Sequence, residues 1–305
     1  IRAPMMVEPE AATDVFAVDN GNGSDVPAFN SGFPVDMSFW TNTGGDNTKI
    51  ASRLTGARYL ETDATGAEQA DTSYAFDYPS GWYKFALAAT NYAWMWKRGK
   101  GYMDAVAYSG NGTAGRTVPH SLSVIPEMIW FKSRNNAYNW YVYHKDTGID
   151  KRLVLDGNDG TETGYGTLVF NNTQPSSSVI TLGSWGVING SGNNNIAYLF
   201  ATLAGISKVG SYTGNGSSQT ISCGFSAGSR YILIKRTDAS GDWFFWDSVR
   251  GIVAGNDPHL SLNTTAAEVT TDDSVDPANA GFIVNQNSAT NINVSSATYI
   301  FYAIA

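Results

Sequence analysis

The chain has 305 residues, of which only 15% are charged, and its 27 acidic and 19 basic side chains give a net charge of −8. Binding to a phosphate backbone needs concentrated Lys and Arg, so this balance argues against nucleic acid as a partner. No apolar run approaches the ~18 residues of a membrane helix, so membrane insertion is not expected, and a single cysteine excludes an intrachain disulfide.

Neutral polar residues and 32 Gly supply most of the polarity. Asn, Ser and Thr compete with the helix backbone for hydrogen bonds, and together with Gly they favour turns and exposed faces of strands. The composition therefore predicts an all-β protein.

Residues 1–13, with Pro4, Pro9 and several Ala, show neither helical nor strand periodicity and predict an extended N-terminal arm. Such an arm is expected to lean on a neighbour or on a preceding domain. Because the sequence begins at Ile1 rather than Met, we also expect a processed or truncated piece.

The remaining chain repeats one pattern three times. Each copy has a Gly-Asn-Gly turn, an aromatic-rich strand, a Leu-to-Glu segment and a closing strand, and most landmarks of the second and third copies lie 103 or 104 positions apart. We therefore predict three tandem repeats after the arm. Their predicted bounds are 14–104, 105–206 and 207–305.

The Gly-Asn-Gly turns lie at 21–23, 110–112 and 214–216. Asn-Gly between extended apolar segments is a strong hairpin signal, because both residues tolerate the positive φ of a type I′ turn. Each repeat is thus predicted to open with a hairpin.

Strand signals follow at short intervals in the second repeat, separated by turns rich in Asn and Gly. About seven short strands in roughly 100 residues is the rhythm of an antiparallel β-sandwich. Helix is expected to be limited to a turn or two, with 264–268 as one candidate. The predicted strands include 140–144, 152–155, 167–170, 179–182 and 196–200.

The joints between repeats are short. Residues 204–207 separate the second repeat from the third, and the basic run 97–101 follows the first. Such brief linkers cannot let domains tumble independently, so we expect a rigid stack or a cluster with buried contacts between repeats. The basic run is interpreted as a solvated bend.

Patterns typical of catalysis and metal binding are missing from the sequence. The histidines His120, His144 and His259 lie at no metal-ligand spacing, and neither a Gly-x-Ser-x-Gly elbow nor a phosphate-cradling loop occurs. No catalytic residue, metal or cofactor is therefore predicted. The acidic stretches 156–162 and 272–276 could offer oxygens to calcium, but neither fits the calcium loop, and solvated turns are the favoured interpretation.

Aromatic residues make up 13% of the chain, and strand alternation sends neighbouring rings to opposite faces of a sheet. Within 140–143 and 243–246, some rings must therefore leave the core of their own sheet. Such rings either pack between repeats or subunits, which is the favoured interpretation, or form platforms for sugar rings. The candidate carbohydrate-binding residues are Trp140, Tyr143, Trp243 and Trp246.

Several stretches of the third repeat together resemble a domain of unknown function found repeatedly in tailed-bacteriophage virion proteins. They are 208–216, 234–238, 242–243, 247–251 and 297–301. The resemblance covers nearly all of residues 14–305. The first repeat departs from it, because Thr41-Asn42-Thr43 stands where the other repeats have Lys-Ser-Arg and Lys-Arg-Thr.

This resemblance implies a virion component without catalytic residues, presented in several copies beside other virion proteins, with host-surface attachment as the usual role of fibres. We expect a tail fibre, spike or surface decoration that assembles as a homotrimer. Two alternatives stay open. One is a carbohydrate-binding module that recognises a cell-surface glycan, and the other is a polysaccharide-degrading tailspike, whose paired carboxylates a sequence cannot locate.

Overall fold

Almost all regular structure in the protein is β, as predicted. The structure, a computed structural model, describes residues 6–22, 25–84 and 88–305. These ranges contain 24 strands, two short α-helices and one 3-10 turn, Ala12–Asp14. No helix within them is long and apolar enough to cross a membrane. The all-β fold class is confirmed.

Three consecutive segments, called units 1, 2 and 3, span residues 16–96, 103–200 and 207–304. The strands of unit 1 are β1 (Phe16–Asn20), β2 (Phe29–Asn30), β3 (Met37–Asn42), β4 (Lys49–Ser52), β5 (Arg58–Glu61), β6 (Gln69–Ala70), β7 (Gly81–Trp82) and β8 (Asn91–Trp96).

Unit 2 contains all the described α-helix. Its elements are β9 (Met103–Ser109), β10 (Arg116–Pro119), β11 (Met128–Ser133), β12 (Tyr141–His144), β13 (Lys151–Val154), β14 (Glu162–Thr163), α1 (Gly166–Phe170), β15 (Val179–Leu182), α2 (Gly186–Asn189) and β16 (Asn194–Phe200). The strand β9 crosses the predicted boundary between residues 104 and 105.

Unit 3 has eight strands. They are β17 (Ser207–Thr213), β18 (Gln219–Ser222), β19 (Tyr231–Arg236), β20 (Trp243–Asp247), β21 (Leu260–Ser261), β22 (Val275–Ala278), β23 (Gly281–Val284) and β24 (Thr298–Ile304).

Each unit has one large and one small antiparallel sheet. The large sheets have the orders β1-β8-β3-β4-β5-β6, β9-β16-β11-β12-β13-β14 and β17-β24-β19-β20-β21, so the last strand of a unit always lies between its first and third. The small sheets are β2-β7, β10-β15 and β18-β23-β22. Every unit is thus sandwich-like, while descent of the units from one duplicated ancestor stays a prediction.

One inner core joins the three large sheets. Phe39 of β3, Trp130 of β11 and Leu233 of β19 all belong to it. The ring centroids of Phe39 in unit 1 and Phe245 in unit 3 are 5.5 Å apart. The units therefore form a cluster around shared apolar contacts, which is one of the two arrangements that the short joints allow.

The residues that alternate with these fill three outer cores. Trp40 and Phe131 directly follow Phe39 and Trp130, and Ile232 directly precedes Leu233. Each belongs to a separate apolar cluster of its own unit. Because successive side chains of a strand point to opposite faces, each large sheet is covered on both sides. The central strands are therefore buried along nearly their whole length.

A backbone hydrogen bond also links each unit to the next. The donors lie in the Leu-to-Glu segments, and each acceptor directly follows the third strand of the neighbouring unit. The bonds run from Glu68 N–H to Arg134 C=O at 2.7 Å, from Thr161 N–H to Thr237 C=O at 2.8 Å and from Glu268 N–H to Thr43 C=O at 2.9 Å. Unit 3 thereby returns to unit 1 and closes a ring.

The Gly-Asn-Gly turns at 110–112 and 214–216 are not hairpins, which corrects the sequence prediction for them. The strands on either side of 110–112, β9 and β10, pair with β16 and β15 and not with each other. The turn carries the chain from the large sheet to the small one, and the buried Asn189 accepts the N–H of Asn111 at 3.2 Å. Asn293 accepts the N–H of Asn215 in the same way at 3.0 Å. Gly23 of the first turn lies outside the described residues.

Two further predictions fail for local reasons. Residues 167–170, predicted as a strand, lie in α1, where Asp150 accepts the N–H of Gly166 at 3.3 Å and Asn171 ends the helix with φ of 50°. Residues 264–268, a candidate helical turn, form an extended loop that leads to the ring-closing bond of Glu268. The other four predicted strands of unit 2 are present.

The described part of the arm, residues 6–13, packs against the joint between units 1 and 2. The carbonyl of Val7 accepts the N–H of Lys100 at 3.0 Å. In the same joint, Arg98 forms an ion pair of 2.6 Å with the fully buried Asp104. The basic run is thus anchored at Arg98 and is more than a solvated bend.

The substitution Phe245→Ala is expected to lower the free energy of unfolding by about 3–5 kcal/mol, because it leaves a cavity among rings of two units. Urea titration followed by circular dichroism and tryptophan fluorescence measures this loss, and both signals should change in one transition. The control is Phe244→Ala, whose half-buried ring points to the other face and whose loss should be smaller. Separate transitions for separate units would contradict the shared core.

Candidate functional site

The four aromatic residues predicted to bind carbohydrate are all buried. The exposed fraction is 0% for Trp140 and Trp246, 1% for Trp243 and 3% for Tyr143. No sugar ring can stack on them in this structure, which corrects the platform prediction. The favoured alternative, packing between repeats, describes Trp140 and Trp243 but not Tyr143 and Trp246.

Tyr143 and Trp246 lie in outer cores. The ring of Tyr143 meets Phe170 edge-on at 5.0 Å, and the ring of Trp246 lies 5.5 Å from that of His259. These contacts stay within units 2 and 3, so both rings belong to the local packing of a single unit.

Trp140 and Trp243 instead join neighbouring units. The indole N–H of Trp140 donates to the carbonyl of Glu61 at 2.7 Å, and that of Trp243 donates to the carbonyl of Val154 at 2.9 Å. Each acceptor is the last residue of the fifth strand in the preceding unit. The two rings therefore supply both apolar contact and a directed hydrogen bond across a junction.

A buried lysine accompanies each of these indoles, and we call each pair a Lys–Trp brace. The Nζ atom lies 6.0 Å from the indole centroid in both pairs, Lys132 with Trp140 and Lys235 with Trp243. Burial lowers the pKa of both lysines to about 8. Across the junctions, Lys132 donates to the carbonyl of Thr65 at 2.7 Å and Lys235 to that of Asn158 at 2.9 Å.

Among the residues that the structure describes, the junction between units 3 and 1 has no such brace. Thr41 is the fifth residue of β3, where β11 and β19 have lysine, and strand register places Thr48 where the tryptophans stand. In their absence, the hydroxyl of Thr62 donates to the carbonyl of Leu262 at 2.6 Å. The departure of the first repeat from the resemblance therefore coincides with a different junction.

A buried ion pair takes over at this junction. Asp247 accepts hydrogen bonds from the indole N–H of Trp94 in unit 1 at 3.0 Å and from Nε of Arg250 at 2.5 Å. Arg250 also donates to Glu268 at 2.8 Å and lies 5.1 Å from the centroid of Trp94. Because both charges are almost fully buried, losing either partner would leave an uncompensated charge.

Asp257, His259 and Asp272 form a buried polar cluster in unit 3. Nδ1 of His259 is 3.5 Å from Oδ1 of Asp272, and Asp257 accepts the N–H groups of Ser274 and Val275 at 3.1 and 3.0 Å. Burial raises the pKa of Asp257 to about 7 and lowers the pKa of His259. Among the described residues, no group of three or more His, Cys, Asp or Glu could hold a metal ion.

A groove runs between units 2 and 3. It consists of two adjoining cavities of about 410 and 480 Å³ that share Asp146, Ser211 and Tyr212. Unit 2 contributes the turn between β12 and β13, and unit 3 contributes its edge strand β17. The groove is thus built by two units and exists only because they are held together.

Tyr212 brings an aromatic ring to this groove that the sequence prediction missed. Its ring is half-buried, stacks on Tyr299 at 4.8 Å and 15°, and is fixed because its hydroxyl donates to the carbonyl of Ile292 at 2.6 Å. A usable signal was its position between Ser211 and Thr213. A lone aromatic residue between exposed hydroxyl residues has fewer bulky neighbours than the rings in aromatic runs.

A protein-family model described as a domain of unknown function, DUF7483, matches residues 17–305. No curated protein matches the chain. The family match establishes a relationship and carries no activity with it.

The double substitution Lys132→Met and Lys235→Met is expected to remove a pH-dependent part of the stability. Burial lowers both pKa values from 10.5 to about 8, so the unfolded chain binds more protons than the folded chain between these values. The lysines therefore favour the folded state increasingly as the pH rises from 8 to 10, and this gain is lost as the pH falls.

Urea titration at several pH values tests this. The free energy of unfolding of the wild type minus that of the double variant should increase from pH 8 to 10. The control Thr41→Val changes the corresponding position in unit 1 without removing an ionisable group and should show no such slope. A flat difference for the double variant would contradict the depressed pKa values.

Proposed function

The chain belongs to the DUF7483 family, and we propose that it is a non-enzymatic structural protein of a tailed-bacteriophage virion. In this role it is a tail fibre, spike or surface decoration that contributes to host-surface attachment. The starting point is the resemblance to a domain repeated in such virion proteins. The observation that supports the proposal most is the closed ring of units.

A particle component must resist shear, heat and proteases. Local opening is costly where backbone hydrogen bonds are buried and apolar contacts are dense, and easy where they are few. The ring-closing bond of Glu268 and the braces of Lys132 and Lys235 tie every unit to a neighbour. Opening of one unit therefore requires the loss of contacts in another.

The proposal includes assembly as a homotrimer beside other virion proteins. The described part of the arm supports a contact role, since it leaves a cavity of about 580 Å³ against the body, lined by Glu8, Glu10 and Asp14 together with Lys97 and Arg98. Such mixed charge at the base of an arm suits contact with a polar protein surface.

A polysaccharide-degrading spike is the less favoured alternative. Asp146 of unit 2 and Asp238 of unit 3 line the same cavity of about 480 Å³, so two carboxylates do meet across a groove. However, hydrogen bonds from Arg236 lower the pKa of Asp238, whereas a general acid for glycoside hydrolysis needs a raised pKa. Reducing ends released from host polysaccharide, and lost on Asp146→Asn, would favour the enzyme.

Purified particles of the phage that encodes the chain are expected to contain it, and antibody labelling should place it on the tail or on the surface. The protein in solution should have about three times its chain mass of 32.7 kDa, measured by light scattering. A chain found only in lysed cells and never on particles would overturn the virion role. A monomeric mass with correct labelling would remove the homotrimer alone.

A further inference from the structure

Two tyrosines occupy the same place in units 2 and 3. The hydroxyl of Tyr108 in β9 donates to the carbonyl of Ile188 at 2.9 Å, and that of Tyr212 in β17 donates to the carbonyl of Ile292 at 2.6 Å. Both are the sixth residue of the first strand of their unit. Tyr108 of unit 2 therefore serves as a reference for Tyr212 of unit 3 within the same molecule.

The two rings differ in what lies over them. The guanidinium of Arg116, the first residue of β10, is 5.7 Å from the ring centroid of Tyr108. The first residue of β18 is Gln219, whose amide is instead held by the carbonyl of Thr213 at 3.0 Å. Both rings are half-buried. Within the described ranges no cation lies over Tyr212, so the ring face that Arg116 covers in unit 2 has no such cover in unit 3.

The edge of β17 adds backbone hydrogen-bonding groups to the groove. The backbone N–H of Val209 donates to Thr202 Oγ1 at 3.1 Å, so this N–H points away from the paired strand β24. Residues that face one edge of a strand alternate, which places the N–H and C=O of Ser211 on the same edge. Ser211 lines both cavities, so these groups border the groove.

Polar side chains surround the ring, and the charges that line the two cavities nearly cancel. The charged residues are Lys145, Lys151, Lys208, Asp146 and Asp238. The hydroxyls of Thr220 and Ser222 line the smaller cavity, and those of Thr147 and Thr213 line the larger one. Asp146 lies at the point where the cavities meet. Burial lowers the pKa of its neighbour His144 to about 3, so that histidine is neutral and leaves the Asp146 carboxylate available as an acceptor.

We infer that this groove binds a neutral saccharide, with Tyr212 as the stacking ring and Asp146 and Ser211 as hydrogen-bonding partners of its hydroxyls. An apolar ring face beside a few directed polar groups in a concave site matches the chemistry of a sugar, whose C–H face is apolar and whose edge is covered with hydroxyls. The inference deepens the attachment role in the proposed function. It rests on that role only in taking the saccharide from a cell surface.

Isothermal titration calorimetry of the full chain tests the inference with purified neutral oligosaccharides of glucose, galactose and N-acetylglucosamine. The wild type should bind at least one of them. Asp146→Asn should weaken binding by about tenfold, because hydrogen bonds to a charged acceptor are lost. Gln219→Arg should abolish binding by covering Tyr212 as Arg116 covers Tyr108, while circular dichroism shows the fold to be intact.

The matched control is Arg116→Gln, which changes the equivalent residue of unit 2 and should leave binding in the groove unchanged. Failure of the wild type to bind any oligosaccharide of the panel would overturn the inference, as would equal binding by wild type, Asp146→Asn and Gln219→Arg. Capture of a strand-forming heptapeptide without any sugar would also overturn it and would assign β17 to a peptide. None of these results depends on whether the chain is found on particles.

Discussion

The inner faces of the three large sheets are apolar, and they are shielded from water only because they pack against one another. Phe39, Tyr231 and Phe245 lie within 6.4 Å of each other across units 1 and 3, and Phe200 and Tyr302 meet at 5.1 Å across units 2 and 3. A single unit without its neighbours would expose this whole face. Its stability therefore depends on the other two, because burial of apolar area is the main favourable term in folding.

The polar contacts between units refine this arrangement and make the junctions unequal. Two junctions have a Lys–Trp brace, and the third has the buried pair of Asp247 and Arg250. A buried polar group with a directed partner favours one geometry, because a shift leaves the donor or the acceptor unpaired. The units also differ at the surface, where Arg116 lies over Tyr108 and, among the described residues, no cation lies over Tyr212.

Local patterns in the sequence predicted much of the fold. Strand alternation indicated that rings in one aromatic run point to opposite faces, and Trp243 and Trp246 indeed lie in the inner and an outer core. What covers the second face depends on residues of other units, and no local pattern contains that information. The four predicted platform residues were therefore placed on a surface that the neighbouring layers bury.

Other wrong predictions have their origin within a single unit. Asn-Gly favours a tight turn, but the partners of the flanking strands decide whether that turn is a hairpin, and β9 and β10 pair in different sheets. Residues 167–170 have strand propensity, yet contacts with Asp150 and the left-handed Asn171 set a helical turn. Tyr212 escaped notice because its exposure depends on Gln219, which lies in another sheet.

Native-state hydrogen exchange tests the shared core most directly. Amide protons in β3, β11 and β19, one central strand from each unit, should exchange with the same free energy of opening, equal to that of global unfolding. The equality should persist as denaturant is added at low concentration. A central strand that exchanges at a clearly lower free energy than the other two would show that its unit opens alone and would contradict the account.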